Sequence, residues 1–277
     1  MAIDRQRLAL FNEEMAGLLE ELTFESFYQL FQDKLFDYLS GLVNGTEVPG
    51  ITELRKEVGR LFDPELAKHA RNIFNHFEDT VNLVNSRYAD LGTNIGRDLP
   101  RLQRVEALTQ SYLGRYRKST VAQIAKVVRK GLLDGNSIRQ ITRALKAGTD
   151  GKAQFYARTI AQTAVKGYGR AGKAEKANLA EVFYYEYVGI IRKNTRPFCR
   201  LMVGSTHHID FIRVMRNGNL EPVITHCGGW NCHHDWEPDP FAREGSAGEW
   251  KEREIGGRKI KIFTRADLEK EIENWAA

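Results

Sequence analysis

All three cysteines of this chain, and five of its seven histidines, fall between residues 199 and 234. They are Cys199, His207, His208, His226, Cys227, Cys232, His233 and His234, and the densest stretch reads THCGGWNCHHDW over residues 225–236. Thiolates and imidazoles are the ligands Zn²⁺ prefers, usually four in a tetrahedron. The candidate ligand set is Cys199, Cys227, Cys232 and one histidine, His234, and zinc is the one cofactor these residues suggest. The spacing departs from the usual structural site, which pairs its thiolates as C-x₂-C. Here the nearest pair is Cys227-x₄-Cys232, with no second pair.

The same residues support other chemistry. Free cysteine packs as a small hydrophobe, so a metal-free Cys/His/Trp knot walled by Trp230 and Trp236 is one alternative. A nucleophilic Cys/His pair is another, although it needs a base and an orienting third group that no recognisable motif supplies. A metal-dependent nuclease is a third, because THHID and CHHDW each join His to Asp. Such enzymes hold their ion with carboxylates, and Asp210 and Asp235 alone do not make that set. No stretch outside the cluster offers a catalytic constellation, so the chain is not expected to be an enzyme.

Several elements must position these residues. EVFYYEYVG, after Ala180, is β-branched and aromatic and predicts a strand. FIRVMRNGNLEPVI predicts two strands joined at Asn217-Gly218, a strong hairpin signal that would fold Cys199 back toward Cys232. RKIKIF (258–263) alternates like a further strand, and TRADLEKEIENW predicts a capped helix from Thr264. Everything upstream reads as helix. Phe24, Phe27, Tyr28, Phe31, Leu35, Tyr38 and Leu39 form one apolar stripe, and NGTEVPG (44–50) breaks it. DPEL predicts a new helix with Asp63 as N-cap and Pro64 in its first turn, running through Leu66, Ile73, Phe77, Val81, Val84 and Tyr88 to about Gly92. GTNIGRDLPR reads as a bend, followed by a helix from about residue 101 into the turn at Asp134-Gly135. A short helix capped by Asn136 or Ser137 stops at Gly148. AQFYARTIAQTAVKGYGRAGKAEKANL predicts one long helix. Its small residues Ala161, Ala164, Gly167 and Ala171 let another element come close.

The 277 residues suit one large domain or two modest ones, with 42% apolar and 28% charged residues, as in ordinary globular chains. The N-terminus carries no secretory signal pattern, and no run of about 18 apolar residues predicts a membrane span. An odd cysteine count argues against a disulfide framework and for a reducing compartment. The net charge of +5 is unevenly spread. Residues 1–100 hold 10 Lys and Arg against 17 Asp and Glu, residues 101–180 hold 17 against 4, and residues 181–277 hold 14 against 15. The basic middle predicts a solvated helical face, an acidic protein partner, or contact with nucleic acid. Tyr184 or Tyr185 could stack a base, although an alternating strand buries one of its faces.

YEYVGIIRKNTRPFCRLMVG followed by ITHCGGWNCHHDWEP resembles the Mu F-like family of phage minor head proteins, also called head morphogenesis proteins. Thr195, Arg196, Pro197, Cys199 and Gly204 match the first motif of that family. Gly229, Trp230, Asn231, Cys232, His234 and Trp236 match the second. ARTIAQTAVKGYGRAG is similar to the helix that precedes them. The chain departs at Ile160, where the family usually has Glu, and at Arg196, which replaces the first cysteine of the commoner C-x-x-C form. The likeness covers roughly residues 120–240. It implies a structural virion protein made in the host cytoplasm and lodged in the head interior or at the portal vertex. Its partners would be the portal protein or major capsid protein, with packaged DNA as a further contact. The expected fold is mainly α with a small α+β C-terminal module: an N-terminal helical region, long central helices, and short antiparallel strands around the Cys/His cluster. The expected organisation is an acidic helical region over 1–115, a head morphogenesis domain over 116–240, and a strand and helix extension over 241–277.

Overall fold

A computed structural model describes the backbone of residues 5–20, 25–43, 47–147, 151–242, 253–255 and 258–260, and the side chains of 6–20, 33–43, 47–147 and 155–242. The helical part comprises α1 (Arg5–Glu20), α2 (Glu25–Val43), α3 (Ile51–Arg87), a 3₁₀ turn (Ala89–Leu91), α4 (Pro100–Leu133), α5 (Ile138–Leu145) and α6 (Gly151–Leu179). The C-terminal part then alternates β1 (Tyr184–Val188), α7 (Pro197–Met202), β2 (Thr206–His208), α8 (Ile209–Val214), α9 (Val223–His226) and β3 (Asp235–Pro238). A separate hairpin pairs β4 (Arg253–Ile255) with β5 (Arg258–Ile260). The protein is therefore mainly α with a small antiparallel sheet around the Cys/His cluster. No helix among the described residues is long and apolar enough to cross a membrane. The Thr264 helix, residues 261–263 of the RKIKIF strand, the Gly148 stop and the side chains of Phe24, Phe27, Tyr28 and Phe31 lie outside the described residues.

Local chemistry accounts for most boundaries. Ser137 caps α5 through a reciprocal capping box with Gln140, which satisfies two backbone N–H groups that a helix start otherwise leaves without partners. The bend before α4 is held by Asn85, which donates to and accepts from the backbone of Ile95 at 3.0 and 2.9 Å. The helix start expected at Asp63 does not occur, because α3 runs unbroken through Pro64. An interior proline removes one helical hydrogen bond and costs about 3 kcal/mol. Burial of Val58, Phe62, Leu66 and Ile73 along one stripe outweighs that loss. Asp63, freed from capping, pairs with Arg117 at 2.6 Å.

The hairpin expected at Asn217-Gly218 is also absent. Residues 209–214 form α8, because Ile209, Ile212 and Met215 are buried at three-residue intervals and so share one helical face. The Asn-Gly pair still makes a turn. The Asn217 side chain accepts from the N–H groups of Asn219 and Leu220 at 2.8 Å each, and donates to the carbonyls of Leu220 and Cys227 at 2.6 Å each. An asparagine that closes its own loop competes with the strand ladder that the pattern suggested.

The chain forms two compact units, each discontinuous in sequence. The first combines residues 1–19, 77–105 and 163–277, and the second residues 20–76 and 106–162. In the second unit Leu39, Leu54, Val58, Phe62, Ile124 and Val128 make an apolar core. In the first, the C-terminal half of α6 is the central element. Phe11 and Met15 of α1 lie 3.3 and 3.5 Å from where a Cβ on Gly169 would stand, and Val84 and Ile95 lie 3.3 Å from one on Gly172. These glycines set the depth at which neighbouring elements seat on α6. The sheet, in order β2-β1-β3, pairs Tyr187 of β1 with Trp236 of β3 and Tyr184 with His208 of β2.

Candidate metal centre

Cys199 sits on α7, which Pro197 starts at a position where a missing N–H costs nothing. Cys232 and His234 sit on the chain between α9 and β3. That stretch is sharply turned, with positive φ at Cys227 (49°), Gly229 (100°) and Asn231 (51°). A Cβ on Gly228 would stand 2.2 Å from the Cys199 Sγ, so only glycine admits the sulfur there. The same Gly228 N–H donates to the Cys232 Sγ at 3.3 Å. The two motif segments are tied by Arg196, which donates to the Trp230 carbonyl at 2.6 Å, and the turn is tied to α6 by the Asn231 N–H on the Thr163 hydroxyl at 3.0 Å.

Donor atoms of Cys199, Cys232 and His234 lie within 4.8 Å of one another, and the three residues are 1%, 3% and 6% exposed. The Cys199–Cys232 sulfur separation is 3.7 Å, and Cys232 Sγ lies 3.7 Å from His234 Nδ1. A disulfide needs about 2.05 Å. A tetrahedral zinc with bonds of about 2.3 Å to sulfur and about 2.0–2.1 Å to nitrogen has edges of roughly 3.8 Å between sulfurs and roughly 3.6 Å from sulfur to nitrogen. Two edges of the cluster, Cys199–Cys232 and Cys232–His234, have those lengths. His234 Nε2 is buried with no hydrogen-bond partner among the described residues. The edge lengths fit a metal held by these three residues through His234 Nδ1, which would leave Nε2 outside the coordination sphere. Of the expected set, Cys227 is buried on the same turn but is not among these mutually close donors.

The electrostatics favour a thiolate. Hydrogen bonding with Cys199 foremost, then with His234, holds Cys232 well below the ordinary thiol range, with Arg170 adding to it. The same pairing, with burial, pushes Cys199 up. Burial raises Cys227. Arg170 is buried under the turn and donates to the carbonyls of Thr225, Cys232 and His234 at 3.2, 2.8 and 2.8 Å. Burial opposes its charge, but Cys227, Asp235 and Cys232 around it raise its pKa above the usual arginine range.

The remaining histidines have separate tasks. His207 packs its ring against Phe211 and Trp236, and burial lowers its pKa to about 3. His208 accepts from the Asp210 N–H at the start of α8. His226 Nδ1 is 2.9 Å from the Thr225 hydroxyl, and His233 Nδ1 is 3.2 Å from Lys166 Nζ. Asp210 pairs with Arg213 at 2.7 Å, and Asp235 with Lys173 at 2.5 Å, so the two Asp residues do not converge on one site. Tyr185 is buried with its hydroxyl toward the Ala174 carbonyl, while Tyr184 is half-buried against the His208 ring. Of the expected walls, Trp236 is buried, 4.6 Å from the Tyr187 ring, and donates its indole N–H to the Val223 carbonyl at 3.2 Å. Trp230 is half-exposed.

The sequence reading passed over a second buried array on the same helix. Lys173 Nζ reaches Asp235 and Glu237, Tyr88 donates to Glu237 at 2.8 Å, and Arg7 lies 3.4 Å from Glu237. The rings of Phe11 and Tyr88 lie 4.9 and 5.6 Å from the ammonium group. Burial opposes the Lys173 charge, yet Asp235 and Glu237 raise its pKa overall. Lys176 donates to the carbonyls of Gly92 and Thr93. The basic stretch therefore divides. Arg170, Lys173 and Lys176 are buried in the first unit, while Lys118, Lys126, Arg129, Arg139 and Arg143 are exposed on the second. Cations at 170 and 173 beside small residues at 167, 171 and 174 were the available signal: a helical face too small-sided to be solvated. Compared with known proteins, the chain matches no family model, no curated protein and no solved structure.

Proposed function

We propose that this chain is a structural minor head protein of a tailed bacteriophage, of the Mu F-like kind, and that its C-terminal module is locked by a metal at Cys199, Cys232 and His234. The observation that carries the reading is the convergence of the two resembling motifs. The first contributes Cys199 and the second Cys232 and His234, and they meet in a buried cluster. A motif whose residues are used up in an internal lock suits a module that must keep its shape during assembly. The metal would supply a cross-link and folding energy. A hydrolase or nuclease on the same cluster would need substrate to reach donors that are buried on every side.

The portal or the major capsid protein is the partner expected of such a protein, in the head interior or at the portal vertex. The exposed cations of the second unit suit a contact with packaged DNA, which steep salt dependence of binding would reveal. Recombinant full-length chain is expected to pull down portal protein or proheads, and mass spectrometry is expected to find it in virions. Capture of neither portal nor capsid protein, with absence from virions, sinks the reading. Plasmid nicking with Mg²⁺, Mn²⁺ or Zn²⁺ that disappears in His234→Ala would replace it with the nuclease.

A further inference from the structure

We propose that Tyr187 completes the metal site as its fourth ligand, through the phenol oxygen. The inference rests on the metal reading of Cys199, Cys232 and His234 and deepens it, since those three leave one tetrahedral position to fill. Tyr187 Oη lies 3.3 Å from the Cys199 Sγ and 3.9 Å from the Cys232 Sγ. A zinc tetrahedron with an oxygen ligand at about 2.0 Å places that oxygen roughly 3.5 Å from each sulfur. The hydroxyl therefore stands at the fourth-vertex distance from both thiolates.

The side chain is also held there before any metal arrives. The Tyr187 N–H donates to the Ser205 carbonyl at 2.8 Å, and its carbonyl accepts from Gly204 at 2.6 Å. Its ring lies parallel to His234 at 5.7 Å, edge-on to Trp236 at 4.6 Å and edge-on to Phe198 at 5.9 Å. A residue fixed in this way adds a bond without a large ordering cost. The Gly228 N–H at the Cys232 sulfur is a donor and has no lone pair to offer. On binding, an Oη lone pair forms the bond to the metal and the phenol proton leaves to solvent. Two thiolates and one phenolate around a divalent ion leave one negative charge, and the buried guanidinium of Arg170 lies beneath it.

Full-length protein, stripped of metal under reducing conditions, is titrated with Co²⁺, and the visible absorption and affinity are compared for wild type, Tyr187→Phe, Cys227→Ser and Cys232→Ser. The proposal expects one equivalent in the wild type. Tyr187→Phe should change the d–d spectrum and weaken binding more than the roughly 10–100-fold that an outer hydrogen-bond partner costs. Cys227→Ser should leave both unchanged. An unaltered spectrum in Tyr187→Phe makes the hydroxyl an outer partner and overturns the proposal. So does a spectrum altered by Cys227→Ser instead, which would assign the fourth position to that thiol. No Co²⁺ bound by the wild type, or full binding by Cys232→Ser, removes the metal reading itself. Matching far-ultraviolet circular dichroism of wild type and Tyr187→Phe separates loss of a ligand from loss of fold.

Discussion

The two units differ in where they place charge. Both have apolar cores, and the second keeps most of its ion pairs solvated. Arg117 and Asp63 are 43% and 45% exposed, Arg60 and Glu57 67% and 30%, and Lys130 and Asp134 75% and 46%. The first has solvated pairs too, such as Arg213 and Asp210 at 51% and 65%, but adds a charged array inside. Lys173, Asp235 and Glu237 are 1%, 10% and 0% exposed, beside the Cys/His cluster. A solvated pair contributes little and can be lost cheaply, whereas a buried array is costly to make and more costly to break. A single polar change can therefore cost the first unit more than the second.

The largest test of this contrast removes the metal proposed for the Cys199, Cys232 and His234 cluster. Chelation, or Cys232→Ser, is expected to lower the melting transition of the first unit steeply, since structural zinc contributes on the order of 10 kcal/mol to folding. The second unit's transition should barely move. Calorimetry resolving two transitions checks this, and equal shifts in both would break the comparison.

Next in size is Lys173→Met, which leaves Asp235 and Glu237 buried without their cation. The expected loss is about 3–5 kcal/mol in urea unfolding. Losing less than about 1 kcal/mol would mean that the array is better hydrated than its burial implies.

Acid should weaken the first unit more than the second. Burial lowers His69 to about 4 in the second unit, but lowers two histidines in the first, His207 to about 3 and His226 to about 4. Each stays neutral in the fold, while the unfolded chain takes up a proton near pH 6.5. The stabilisation is therefore complete above pH 6.5 and drains away as pH falls toward the folded values. By pH 4.5 each loses roughly 2–3 kcal/mol. Urea midpoints at pH 7 and 4.5 measure the loss. His207→Gln should remove its share of the drop, and an unchanged acid limb in that variant would show that the drop arises elsewhere.

The smallest effect belongs to the second unit's surface. Asp63→Asn is expected to cost under about 1 kcal/mol in the same unfolding assay, because its partnership with Arg117 is solvated. A loss as large as that of Lys173→Met would erase the distinction between the units.

The sequence was most legible where the driving force is local or periodic. The apolar stripe through Ile73, Phe77, Val81 and Val84, the Ser137 cap, and the alternation that makes β1 all follow from spacing and turn chemistry. It misled where tertiary packing overrode a local signal. Pro64 is a helix-start residue, yet burial on both sides of it carries α3 straight through. Asn217-Gly218 is a hairpin signal, yet the three-residue spacing of Ile209, Ile212 and Met215 made the preceding segment a helix. Tyr187 was invisible as a site residue because its sequence neighbours are strand residues. Only the sheet brings its hydroxyl to sulfurs that lie 12 and 45 positions away.

What the sequence determined by itself was the helical bulk, the strand at 184–188, and a candidate set of Cys199, Cys227, Cys232 and His234, of which all but Cys227 converge. Residue type limits ligand chemistry, and short-range spacing limits local structure. What only the tertiary structure decided was which donors meet, which cations turn inward, and that Tyr187 faces the thiols. Those are long-range outcomes. They depend on how closely α6, the sheet and the Gly228 turn pack, and no pattern along the chain records that depth.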